Sequence, residues 1–312
     1  MQTTNTVLMV RPAAFYANPQ TLHSNSFQKH IENSVDTTYQ AQIAFDQYSE
    51  VLRQAGIHVV IIEDGLINET PDSIFPNNWL STSNDASVFT YPMEALNRRR
   101  ERRPEILNKL CHEFIVNKHI DLSPFEKQGF YFEGTGVLIL EHDHQKAFVC
   151  RSTRSAELVG QEYSKLSGYE LFWFNATDRN GKSIYHTNVM MSLGTRFAVV
   201  CLESIHDELE RNQLINLLEV CGKTIIDVSY EQMENFSCNI LELKNTNNEP
   251  VYAMSTRAWN AFNPEQQKLI SDYAHLALAP IDVIEDLGGG GARCMLAEIF
   301  LQRHSDEEST WK

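Results

Sequence analysis

A chain of 312 residues with 42% apolar residues can bury a real core, as one large domain or two ordinary ones. Its formal net charge of −15 argues against a nucleic-acid partner, because such affinity comes largely from Lys and Arg displacing counterions. No segment approaches membrane-spanning length, Met1 to Pro12 lacks the basic flank and apolar core of a signal peptide, and six scattered cysteines without a CxxC fit reduced thiols of a cytoplasmic protein.

In chain order, β-branched and apolar runs predict strands at Val7 to Val10, His58 to Ile62, Ser87 to Thr90, Gly136 to Leu140, Ala147 to Cys150, Phe197 to Leu202, Thr224 to Val228, Ile240 to Leu243, Val251 to Met254 and Ile281 to Ile284. Helical patterns fall between them, at about 37 to 55, 97 to 117, 154 to 167, 207 to 219, 263 to 276 and 293 to 302. The fourth of these carries Leu209, Leu214, Leu217 and Leu218 as an apolar stripe, with Cys221 and Gly222 as its stop. Strands and helices alternate throughout and no linker interrupts them, so a single α/β domain over residues 1–312 is expected, with Asp306 to Glu308 as a short acidic tail.

Five polar residues recur almost evenly, Asn78, Glu133, His186, Asn239 and Cys294, separated by 55, 53, 53 and 55 positions. A repeated β/α unit that presents the same strand end to one pole brings all five to a common centre. The set contains a nucleophile, a base and a carboxylate, which points to an enzyme with its site on a pseudo-symmetry axis.

Local sequence adds chemistry to that spacing. Gly288 to Gly291 leads into Ala292-Arg293-Cys294 before a predicted helix, whose N-terminal dipole favours a thiolate; a structural cysteine or a phosphate loop is the alternative, but the Lys-Ser/Thr ending of a P-loop is missing. On this reading Cys294 reacts with iodoacetamide faster than the other five thiols at neutral pH. His186 heads a strand-like run and, with Cys294, is a candidate general acid and base. Glu133 precedes an apolar strand and needs a partner, either a histidine or a cationic substrate. Arg98, Arg99, Arg100, Arg102 and Arg103 read as a solvated helix face rather than a nucleic-acid patch, although one of them can reach the site. His112, His142, His144 and Cys150 offer metal-ligand types without a matching second pair, so no metal is expected.

With these residues in place, the chain resembles the pentein superfamily of guanidino-group modifying enzymes, with its amidinotransferases, dimethylarginine dimethylaminohydrolases and arginine deiminases, over nearly its whole length. Pro71-Asp72-Ser73-Ile74-Phe75 is similar to the Pro-Asp-Ser-x-Phe segment of the dimethylarginine hydrolases, Glu133-Gly134 to an Asp/Glu-Gly pair, and Gly290-Gly291-Ala292-Arg293-Cys294 to the loop that ends in the nucleophile. Ser152-Thr153-Arg154 is similar to a Ser-x-Arg whose arginine pairs with the substrate's α-carboxylate. The resemblance implies a five-bladed α/β propeller, no cofactor, and a small guanidino or ureido amino acid as partner. It also implies Cys294 as nucleophile, His186 as general acid and base, and Glu133 orienting the histidine or a substrate nitrogen, through a thioester- or thiouronium-like intermediate. Asp72, Asn77, Asn78 and Asn188 would line the head-group pocket, Arg154 would hold the carboxylate end, and Asn239 would position the loop of Cys294.

Two departures bear on the substrate. Asn77 and Asn78 stand where family members acting on guanidinium usually carry acids, and His186-Thr187-Asn188 has an amide where arginine deiminases show His-x-Asp. A carboxylate about 4 Å from a cation contributes about 4 kcal/mol at an effective dielectric near 20, against about 0.5 to 1.5 kcal/mol for a neutral hydrogen bond. The expected substrate is therefore a neutral ureido compound such as citrulline, hydrolysed to ornithine, ammonia and carbon dioxide, as in a citrulline-utilisation branch. Arginine or methylarginine hydrolysis and amidino transfer are the alternatives within the fold; a non-catalytic pentein, such as the ribosome anti-association factor, is the alternative outside enzymes.

Overall fold

The computed structural model describes residues 1–25, 27–28 and 35–304, so the expected tail at Asp306 to Glu308 lies outside the described residues. Five sheets of three strands share one plan. Strand β1 (Thr6–Arg11) pairs in parallel with β2 (His58–Glu63). The next sheets are β3 (Leu80–Thr82), β4 (Ser87–Thr90) and β5 (Lys118–Asp121), then β6 (Ile139–Glu141), β7 (Lys146–Cys150) and β8 (Glu170–Phe174). They are followed by β9 (Met191–Leu193), β10 (Phe197–Val200) and β11 (Thr224–Asp227), and by β12 (Leu241–Lys244), β13 (Pro250–Ser255) and β14 (His275–Ala279). Finally β15 (Ala297–Glu298) returns to pair antiparallel with β1.

In every sheet the first strand runs antiparallel to the middle one, and a helical crossover brings the third strand in parallel to it. The crossovers are Val35–Gln54, Pro104–Glu113, Glu157–Ser167, Glu208–Val220 and the pair Thr256–Ala261 and Pro264–Ser271. First strands lie beside one another around the centre, β6 against β9, β9 against β12 and β15 against β3, which makes the molecule a five-bladed α/β propeller. Middle strands are covered on both faces, so Phe197 to Val200 is one unbroken buried run, whereas outer strands such as Lys118–Asp121 bury a single residue.

Several predicted elements change. Ile281 to Ile284 is not a strand: a helix, Asp282–Gly288, follows Pro280 and turns Ile284 and Leu287 inward, and the strand lies upstream at β14, shortening the helix predicted to 276. The helix predicted over 293 to 302 is a single turn, Ala292–Met295, followed by β15, because this stretch must extend to close the ring on β1. The helix over 97 to 117 breaks into a turn, Arg98–Glu101, and Pro104–Glu113, with proline at its first position. The strand predicted from Gly136 begins only at Ile139, after a turn at Gly134–Val137, and the run after His186 opens as a turn, Thr187–Met190. On Glu208–Val220, Asp207 caps the N-terminus and Leu214 and Leu218 are buried, but Leu209 is exposed.

Candidate active site

Each of the five evenly spaced residues stands just ahead of a sheet's first strand, in or beside a short turn. Asn78 precedes β3, Glu133 β6, His186 β9, Asn239 β12 and Cys294 β15. Equivalent positions in equivalent blades therefore converge. Asp72, Asn78, Arg98, Arg154, His186 and Cys294 line one small cavity, together with Tyr185 and the glycine loop.

His186 Nε2 lies 2.7 Å from Glu133 Oε2. The carboxylate is held from several sides: its Oε1 accepts the Glu94 N–H at 3.0 Å, and Arg154 Nη1 donates to Oε2 at 3.4 Å. Burial would raise the Glu133 pKa, but Arg154, the His186 hydrogen bond and Arg98 outweigh it and keep the carboxyl well below its usual range. Burial pushes His186 down to about 4, against the pull of Glu133. The imidazole is thus neutral at pH 7, with Nε2–H donating to the carboxylate and Nδ1 left as the basic nitrogen.

Cys294 Sγ receives two carboxamide donors, Asn239 Nδ2 at 3.2 Å and Asn188 Nδ2 at 3.3 Å. Asn239 also accepts the Cys294 N–H at 3.3 Å and donates to the Asn188 carbonyl at 2.9 Å, tying the nucleophile's turn to two other blades. The expected start of a helix is absent, since Cys294 sits inside a single turn, and burial raises its thiol above the ordinary value despite Asn239, Arg293 and Asn188. The support expected from a helix N-terminal dipole is therefore missing at Cys294. Cys111 is the exposed cysteine.

Asn77 and Asn78 are buried; Asn78 Nδ2 donates to Asn77 Oδ1 at 3.0 Å, and Asn77 Nδ2 has no partner. Asp72 Oδ2 accepts from Asn18 at 2.7 Å while Oδ1 is unpartnered, and burial, only partly offset by Arg98, raises its pKa. Arg154 lies over the Tyr185 ring, with Nε on Glu94 at 3.2 Å and Nη2 on Ser24 at 2.6 Å.

Arg98 is buried and hydrogen-bonded, not solvated, and the arginines around it are paired with Glu126, Asp64 and Glu69. Composition hid this; only the tertiary partners of Arg98 reveal it. Asn18, Tyr185 and Glu94 carried no signal in the sequence at all. Three of the four candidate metal-ligand residues have other partners, His142 on Tyr169, His144 on Glu141 and Cys150 on backbone carbonyls, while His112 lies on the crossover Pro104–Glu113. Among the described residues Glu141, His144 and Cys221 do cluster within 4.8 Å, where Lys223 already pairs with Glu141 at 2.9 Å. No helix among the described residues is long and apolar enough to cross a membrane.

A buried thiol and an imidazole hydrogen-bonded to a carboxylate gather at the centre of a five-bladed α/β propeller, which makes the chain a pentein. More narrowly, the chain belongs to the family described as N,N dimethylarginine dimethylhydrolase, eukaryotic, whose sequence profile matches residues 11–301. No curated protein matches it significantly by sequence. Among solved structures it is similar to apo ArgZ, an arginine dihydrolase from the ornithine-ammonia cycle in cyanobacteria, at 13% identity and a TM-score of 0.73, covering 97% of this chain and 41% of that one. The substrate-bound N-terminal domain of ArgZ is matched at 14% identity and a TM-score of 0.72, covering 94% of this chain and 97% of the domain. A dimethylarginine dimethylaminohydrolase adduct with S-methyl-L-thiocitrulline is matched at 12% identity and a TM-score of 0.62, over 96% of this chain and 100% of that one. At these identities the likeness is one of fold.

Proposed function

We propose that the chain hydrolyses the ureido group of an amino acid, citrulline being the expected substrate, to ornithine, ammonia and carbon dioxide. The observation that carries this reading is the neutral amide of Asn188, aimed at the sulfur of Cys294 where a carboxylate would serve a guanidinium, beside a second amide donor, Asn239. Each N–H supports negative charge as it forms on sulfur, a charge-assisted bond being worth about 1.5 to 3 kcal/mol.

His186 takes the thiol proton on Nδ1, and the resulting imidazolium is stabilised by Glu133. The thiolate attacks the ureido carbon and forms the C–S bond; His186 returns the proton to the terminal nitrogen, which leaves as ammonia and gives an S-linked thiocarbamate. Water, deprotonated by the same imidazole, then displaces sulfur, and the carbamate so formed splits into carbon dioxide and the amine of ornithine. Arg154, which lines the same cavity, takes the substrate carboxylate in this reading.

A second reading, arginine as substrate, is favoured by the unpartnered Oδ1 of Asp72, an acceptor free for a guanidinium N–H. Incubation with citrulline, arginine and dimethylarginine, followed by assay of ornithine, citrulline and ammonia, separates the two. Ornithine and ammonia from citrulline, lost in Cys294→Ala, are expected; conversion of arginine or dimethylarginine to citrulline, with citrulline itself inert, overturns the ureido reading.

A further inference from the structure

We infer that Glu141, His144 and Cys221 form a binding site for one thiophilic divalent cation of the zinc type, which staples the third sheet to the crossover of the fourth. None of the three lines the substrate pocket, and the inference stands apart from the choice of substrate.

Three chain segments supply three kinds of donor. Glu141 ends β6, His144 lies in the hairpin turn before β7, and Cys221 caps the crossover Glu208–Val220 at its C-terminus. One carboxylate oxygen, one ring nitrogen and the sulfur all lie within 4.8 Å of one another. In a tetrahedral zinc site, with bonds of about 2.0 Å to nitrogen and oxygen and about 2.3 Å to sulfur, ligand atoms stand about 3.3 to 3.5 Å apart. The closing movement is small. Glu141 and Cys221 are buried and fixed, while the half-exposed His144 is free to swing inward and leaves the fourth position open to water.

The local sequence prepares the two sides of the site. Cys221 N–H donates to the Leu217 carbonyl at 3.0 Å, Gly222 takes a φ of +73°, and Lys223 N–H returns to the Leu218 carbonyl at 2.9 Å. A helix end of this kind carries partial negative charge, which favours a cation. Across from it, Gln2 clamps the hairpin, with Nε2 donating to the Leu140 carbonyl and Oε1 accepting the His142 N–H, both at 2.9 Å. His144 N–H donates to Glu141 Oε2 at 2.6 Å, and its Nδ1 lies 3.0 Å from the same oxygen.

Lys223 is compatible with a bound metal. Its Nζ lies 2.9 Å from Glu141 Oε1 as an ion pair without hydrogen-bond alignment, so a wholly buried carboxylate oxygen is left without a hydrogen-bond donor. Lys223 Nζ is anchored separately, donating to the Thr195 carbonyl at 3.1 Å. It can stay beside one carboxylate oxygen while the other ligates, as the outer partners of metal-bound carboxylates do. Binding breaks the S–H bond of Cys221, forms the metal–sulfur bond and releases the proton to solvent.

The test uses the full chain carrying Cys111→Ser and Cys294→Ala, which silence the exposed thiol and the pocket thiol. Titration with Cd²⁺ should give an ultraviolet thiolate-to-metal charge-transfer band that saturates at one equivalent, and Zn²⁺ should displace it and raise the melting temperature. Adding Cys221→Ser should abolish the band, and His144→Ala should weaken binding about tenfold or more. No band in the background protein overturns the inference, as does a band that survives Cys221→Ser or an affinity unchanged by His144→Ala. Should Cys221→Ser not fold, as its melt would show, the variant at exposed His144 decides alone.

Discussion

The Cys294 sulfur lies against two amide donors, yet burial raises its thiol above the ordinary value, and Asn239, Arg293 and Asn188 only partly oppose that shift. Iodoacetamide at pH 7 should therefore label exposed Cys111 first, and the rate at Cys294 should climb into the alkaline range; a plateau near neutrality, followed by mass spectrometry of the labelled peptides, would reveal a resting thiolate. The amide of Asn188 is the sharper probe. Asn188→Asp places a carboxylate within about 4 Å of the sulfur, which opposes charge on the thiolate and takes away a donor. Alkylation of Cys294 at pH 9 should slow, and kcat for citrulline should fall about a hundredfold, with little change in melting temperature. Equal rates in the variant would mean that the donors do not support the thiolate.

Short turns, not strands, carry the chemistry, and their precision depends on how closely neighbouring blades approach. A methyl group at Gly136 would lie 2.6 Å from Asn78 Nδ2 and 2.9 Å from His186 Nδ1, so the turn Gly134–Val137 ahead of β6 sits directly against two site residues. Gly136→Ala should cost about 1 to 3 kcal/mol in stability and, by displacing the imidazole, lower kcat more than it raises KM; steady-state kinetics and a melt check both. The even spacing was readable in the sequence because each of Asn78, Glu133, His186, Asn239 and Cys294 opens one repeat. Long middle strands were readable too, since burial on both faces makes them continuously apolar. The pieces that escaped are short or ambiguous. β3, β9 and β15 are two or three residues long and exist through pairing alone, and Val283-Ile284 fits either a strand or a helix until Pro280 and the crossover fix the choice. Arg98 escaped because an inward arginine has the same sequence signature as a solvated one.

The ring as a whole is closed by two residues of β15 against β1, continued by the Ile299 N–H donating to the Thr6 carbonyl at 2.9 Å. Cys294 stands just ahead of this joint, so closure and reactivity are mechanically linked. A chain ending at Leu296 retains the pocket residues yet loses the joint; it should melt at a markedly lower temperature and lack turnover, and full activity in that protein would show that the nucleophile's turn holds itself.

A loop of blades joined in this way has no intrinsic beginning. If the present ends were tethered and new ones opened in the exposed turn Asn245–Glu249, the permuted polypeptide would present the same five side chains in a different chain order. Order along the backbone would then matter to how the molecule assembles, and hardly at all to what its centre can bind.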